Sequence, residues 1–156
     1  MKHIEVVTGE GLGEIKFGIN RDAIVEFLGQ PDEKDGFSYE GKDDNDTEAW
    51  HYDEFELSFS FDKDDNWRLG TIASSSEATL FEGEKVIGLD VDSLLNLLKH
   101  KGLEAESEDL STEEIKNHHV VTVEEESINF WFEDGKLSEI QWSPIWADEE
   151  TIIWPN

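Results

Sequence analysis

A chain of 156 residues with 39 acidic and 12 basic side chains carries a formal net charge of −27, which repels nucleic acid phosphates and anionic membranes and favours cations or basic partners. It contains no cysteine, which removes disulfides, thiol catalysis and cysteine-based zinc sites. An aromatic content of 11% argues for a folded acidic protein over a disordered one.

Met1–Glu5 lacks the apolar core of a leader, and no apolar run is long enough to cross a bilayer. A cytoplasmic location is expected, with a removed leader left open. Ile4–Val7 reads as a short strand, followed by a connection through Gly9, Gly11 and Gly13 that lacks the spacing and lysine of a phosphate loop. Gly18–Asp32 then reads as one complete helix. Asn20 is the N-cap, and Ile19 and Ile24 have the spacing of a hydrophobic staple. Ala23, Ile24, Phe27 and Leu28 form the apolar stripe, and Gly29 with Pro31 ends it.

Residues 32–48 read as an acid-dense loop carrying Phe37 and Tyr39. Trp50–Tyr52 opens a strand and Phe55–Phe61 forms the next, with Leu57, Phe59 and Phe61 on one face and Ser58 and Ser60 on the other. Asp62–Asn66 is the turn. Leu69 and Ile72 are three apart, which predicts a bulge near Gly70. Ser74–Ser76 reads as a linker. The helix signal then recurs at Gly88–Leu98, with Asp90 as cap and Leu89 and Leu94 as staple. That helix spans about Val91 to His100. An acidic connection follows at 104–114, then a strand at Val120–Val123 and a hairpin over Phe130–Lys136 with Asp134-Gly135 at its tip. The tryptophan-rich tail, Trp142–Trp154, is expected to pack.

Gly13, Glu14, Gly18, Asp22 and Leu28 align without a gap on Gly83, Glu84, Gly88, Asp92 and Leu98, and 57–62 aligns on 128–133. The order of these matches predicts a tandem duplication, with units at 1–76 and 77–156 packed as one body because either alone is too small for a stable core. The fold class expected is α+β, each unit a short helix or helix pair on an antiparallel meander, the two forming one curved sheet. The run from Gly18-Ile19-Asn20 through Gly29-Gln30-Pro31-Asp32, followed by Trp50, Tyr52, Leu57, Phe59, Phe61, Leu69 and Ile72, resembles the SmpA/OmlA family of small outer-membrane assembly lipoproteins. In duplicated form it resembles the β-lactamase inhibitor protein architecture. The chain departs from the family in lacking a lipobox cysteine. Its second half also lacks the Gly-x-Pro stop and the Trp-x-Tyr pair. What the resemblance implies is a protein-binding scaffold without chemistry of its own.

The residues carry few signals for chemistry. Paired carboxylates are too common here to mark an acid–base site, which needs one carboxyl in an apolar pocket. Asp62, Asp64 and Asn66 start like a calcium loop, but Trp67 and Ala73 stand where glycine and glutamate are needed. His118 and His119 point to opposite faces of a strand and read as surface residues. No Ser–His–Asp arrangement is identifiable from spacing. The expectation is therefore a non-enzymatic protein-binding module, by analogy an inhibitor or immunity-type factor, with no cofactor and no metal. Its partner would be a protein of basic or mixed charge, neither nucleic acid nor membrane. The contact residues expected are His51, Ser58, Ser60 and Trp131 on the open sheet face, with Phe37, Tyr39, Asp64 and Asp65 on flanking loops. Two alternatives stand beside it: an enzyme or small-ligand or metal-binding protein using a carboxylate cluster, and an acidic mimic of nucleic acid.

Overall fold

A computed structural model describes residues 4–37 and 46–155. The chain begins with β1 (Ile4–Val7), β2 (Gly11–Leu12) and β3 (Ile15–Lys16), then α1 (Arg21–Leu28). A meander follows: β4 (Glu33–Phe37), β5 (Thr47–Tyr52), β6 (Leu57–Asp62) and β7 (Arg68–Ser74). Next come β8 (Thr79–Phe81), β9 (Glu84–Lys85) and α2 (Val91–His100), and a second meander of β10 (Glu106–Asp109), β11 (His119–Val123), β12 (Ile128–Glu133) and β13 (Lys136–Trp142). The ribbon of β14 (Ile145–Trp146) and β15 (Ile152–Ile153) ends the chain.

The two meanders join edge to edge through β13 and β7. They form one eight-stranded sheet in the order β10-β11-β12-β13-β7-β6-β5-β4. A second, five-stranded sheet runs β3-β2-β1-β8-β9, in which β1 and β8 pair in parallel. This corrects the expected α+β class of helices on meanders. Among the described residues strand dominates, 43% against 17% helical, with only two α-helices beside sheets of eight and five strands. The error has a local cause. The glycine-rich segment after β1 and the acid-rich segments 33–37 and 106–109 lack apolar alternation, yet all three form strands. The latter two lie at the sheet edges, where a strand needs no apolar face.

One core unites both sheets and both helices. Leu57, Phe59, Phe61, Leu69 and Ile72 come from the first meander and Ile128, Phe130, Phe132, Leu137 and Ile140 from the second, all buried. Each such side chain contributes roughly 1.5–3 kcal/mol by leaving water. Phe81 of β8 meets Phe130 edge-on, with ring centroids 5.3 Å apart, and the Trp142 indole donates to the Gly11 carbonyl at 2.8 Å. These contacts tie the small sheet to the large one. The helices start as the sequence predicts: Asn20 accepts from the Ala23 amide at 2.9 Å and Asp90 from the Ser93 amide at 2.8 Å. Ile24 of α1 and Leu94 and Leu98 of α2 are buried, whereas Phe27, placed in the stripe, is 48% exposed.

The turns follow their residues. Ser60 faces Thr71 while Phe61 faces Leu69, so Gly70 is the extra residue of a bulge, as expected. Asp134 and Gly135 both have positive φ, 53° and 79°, as a tight hairpin tip requires. Ser74 is no linker residue. It closes β7, is buried, and its hydroxyl lies 2.7 Å from that of Thr79.

Candidate functional site

Strand alternation leaves one face of the eight-stranded sheet turned away from the core. Its composition follows from the register. Glu33 pairs with His51, His51 with Ser58, Ser58 with Ala73 and Ala73 with Gln141. Gln141 then pairs with Asn129, Asn129 with Thr122 and Thr122 with Glu106. One continuous row thus crosses all eight strands, spanning about 34 Å at a typical strand spacing. Its middle is small and neutral, both ends are glutamates, and it contains no lysine or arginine. Thr122 donates to Asn129 Oδ1 at 2.8 Å, and the Trp131 indole donates to Gln141 Oε1 at 3.2 Å. The side chains of the second meander therefore brace one another across this face.

The first meander braces its own part differently. His51 lies with Nδ1 2.7 Å from Ser58 Oγ and Nε2 2.9 Å from Asp35 Oδ2, a hydrogen-bonded chain over β4, β5 and β6. It is a Ser–His–Asp arrangement that was not identifiable from spacing in the sequence. Half of it was within reach of the sequence, since a hairpin closing on residues 53–56 puts residue 51 opposite residue 58. Asp35 was hidden because its strand reads as loop. Beside the chain is an open cavity of about 380 Å³, lined by Glu33, His51, Ser58, Glu56, Ala73 and Glu139, among others. Burial, then the charge of Glu133, pushes the Glu139 carboxyl above its ordinary range. The strand amides here serve the sheet ladders, and the Ser75 amide is bonded to the Glu56 carbonyl at 3.1 Å. The carboxylates of Glu33, Glu56 and Glu139 around the cavity oppose an oxyanion at Ser58.

Of the expected contact residues, His51, Ser58 and Ser60 share the open face of the first meander, and Trp131 lies on the same face of the second. Trp131 is half-buried, with the His118 ring 6.3 Å away. The tail goes elsewhere: Ile145 packs at Gly9, and Trp154 packs at Gly18 and under Arg68. Asp64 and Asp65 stand apart, in the turn between β6 and β7, where burial, then Asp62 and Asp64, raises the Asp65 carboxyl. Phe37 ends β4 opposite Thr47, and Tyr39 lies outside the described residues. His118 and His119 are half-buried and not the surface residues expected; His119 Nε2 lies 3.9 Å from Asp109. Among the described residues no group of three or more histidine, aspartate or glutamate side chains converges as a metal site. Sequence reading missed the roles of Glu33, Asp35 and Glu106 for one reason, the acidic edge strands.

Neither a protein-family model nor a curated protein sequence matches the chain. Among solved structures, it is similar to an extracellular protein containing a SCP domain from Bacillus anthracis str. Ames, with a TM-score of 0.52 and 15% identity. That likeness covers 81% of this chain and 43% of the other, so the chain spans under half the neighbour's length. At this identity it speaks to fold alone.

Proposed function

We propose that the chain is a protein-binding module that docks a partner of basic or mixed charge on the open face of its eight-stranded sheet. The observation that carries this reading is the row from Glu33 to Glu106, neutral in the middle and acidic at both ends. Such a surface has no charge to desolvate at its centre, while its ends and the net charge of −27 draw in cationic groups. Trp131, braced by Gln141, supplies the aromatic anchor that interfaces favour. The test is affinity capture at low salt, followed by re-binding of the captured protein in purified form. Asn129→Arg should abolish the re-binding, and added salt should slow association in the parent chain. A partner that binds the Asn129→Arg chain as tightly as the parent would sink the proposal.

A second reading, acyl transfer through Ser58, is favoured by the Asp35–His51–Ser58 chain alone. Labelling of Ser58 by a fluorophosphonate, lost in His51→Gln, would support it over docking. The carboxylates of Glu33, Glu56 and Glu139 beside Ser58 oppose an oxyanion and predict no labelling.

A further inference from the structure

The hydrogen-bonded chain on the open face has a direction, and that direction depends on one proton. A carboxylate oxygen accepts and does not donate, so Asp35 Oδ2, 2.9 Å away, requires the hydrogen of a neutral His51 ring to sit on Nε2. Nδ1 is then bare and accepts from the Ser58 hydroxyl at 2.7 Å. In that state the Ser58 oxygen turns its lone pairs to the cavity. When the ring takes a second proton, at Nδ1, it becomes the donor to Ser58 Oγ. The hydroxyl hydrogen must then swing out into the cavity. We infer that His51 is a proton-operated polarity switch, which turns Ser58 from an acceptor to a donor on the docking face while adding a positive charge beside it.

This inference rests on the docking reading for its consequence. A cationic partner group is accepted by Ser58 when the ring is neutral and is met by a donor and a like charge when the ring is protonated. The other groups facing this site come from every neighbouring element. They are Glu33 and Asp35 of β4, Asp53 and Glu56 of the β5–β6 turn, and Glu139 of β13. Tyr52 also lines the cavity, with its hydroxyl given to the Gly29 carbonyl at 2.8 Å. As a residue type, histidine changes charge between about pH 5 and pH 8, which sets the window for the test. Glu139 is the competing source of a pH effect, because burial raises its carboxyl toward that range.

Two measurements on the full chain decide it. Nitrogen-15 spectra of the His51 ring recorded at about pH 8 and about pH 5 should show the Nε2–H tautomer wherever the ring is neutral and protons on both nitrogens wherever it is charged. The Nδ1–H tautomer in the neutral ring would overturn the switch. The second measurement titrates a capped hexa-arginine peptide at both pH values and constant ionic strength. Binding should weaken about tenfold on acidification in the parent chain. Most of that loss should persist in Glu139→Gln and disappear in His51→Gln. An unchanged loss in His51→Gln would also overturn the switch. Failure of the peptide to bind at either pH would count against the docking face instead, and the ring spectra would still decide the switch.

Discussion

The meanders β4–β7 and β10–β13 make the same backbone bonds with different side chains. In the first, Gly18 donates to the Leu69 carbonyl at 2.9 Å and Leu69 to that of Ile19 at 2.8 Å; in the second, Gly88 donates to Leu137 and Leu137 to Leu89, both at 2.8 Å. Each has one bulge, marked by Gly70 in the first and Ser138 in the second. The residue before the third strand, Glu56 or Ser127, has positive φ in both, 54° and 52°. Backbone geometry is thus shared, while the side chains that fill it divide the labour. The second meander locks onto the five-stranded sheet through Phe130 and Trp142. The first carries the titratable chain on the open face.

The division is open to attack at several positions, taken here by expected size. Phe59→Ala and Phe130→Ala each remove a fully buried ring and should cost about 3–5 kcal/mol in denaturant unfolding. Each variant also strips one edge-on ring contact, Phe59 with Tyr52 and Phe130 with Phe81, so the two losses should agree within about 1 kcal/mol. A wider gap between them would break the comparison. Trp142→Phe deletes the buried bond to the Gly11 carbonyl and should cost about 1–3 kcal/mol. Ser74→Ala, which loses only hydroxyl bonds to Thr79 and the Ser76 amide, should cost about 1 kcal/mol.

The helix caps sharpen the contrast through pH. Asn20→Ala should cost about 1 kcal/mol at every pH, since an amide does not titrate. Asp90 is different: its bonds with Ser93 hold the carboxyl below its ordinary range. A lowered carboxyl stabilises the fold above its unfolded value, and that contribution fades as pH falls through the folded one. Urea midpoints of Asp90→Asn should therefore differ from the parent near neutrality and converge with it in acid. The smallest effect belongs to Glu139, which stands where the first meander has Thr71. A raised carboxyl means that the ionised form is disfavoured in the folded chain, so stability falls as pH rises past the unfolded value. Glu139→Thr should raise the unfolding free energy at neutral pH by less than about 1 kcal/mol, since solvent screens a half-exposed group.

Much of this was legible in the sequence wherever side-chain chemistry acts locally. The caps Asn20 and Asp90, the Gly70 bulge, the Asp134-Gly135 tip and the inward set from Leu57 to Phe61 each follow from a rule about one or a few neighbouring residues. The outward placing of His51, Ser58, Ser60 and Trp131 follows from the same alternation. What stayed hidden depended on partners distant in the chain. Residues 33–37 and 106–109 become strands only because β5 and β11 offer them a ladder, so their acid content misled. The five-stranded sheet was invisible for a similar reason: β2, β3 and β9 are two residues long, and such strands leave no periodic signal. Asp35 was lost from the candidate site along with its strand.

The parallel pairing of β1 with β8 reaches beyond architecture. Residues 4–6 must wait for residues 79–81 before their ladder can close, so the start of the chain finds its place only after its middle exists. During synthesis the first meander would emerge after α1, which shares its core, but before β8, α2 and the second meander, so that core is still incomplete. The net charge of −27 favours keeping such part-made chains apart in solution, because like-charged chains repel one another.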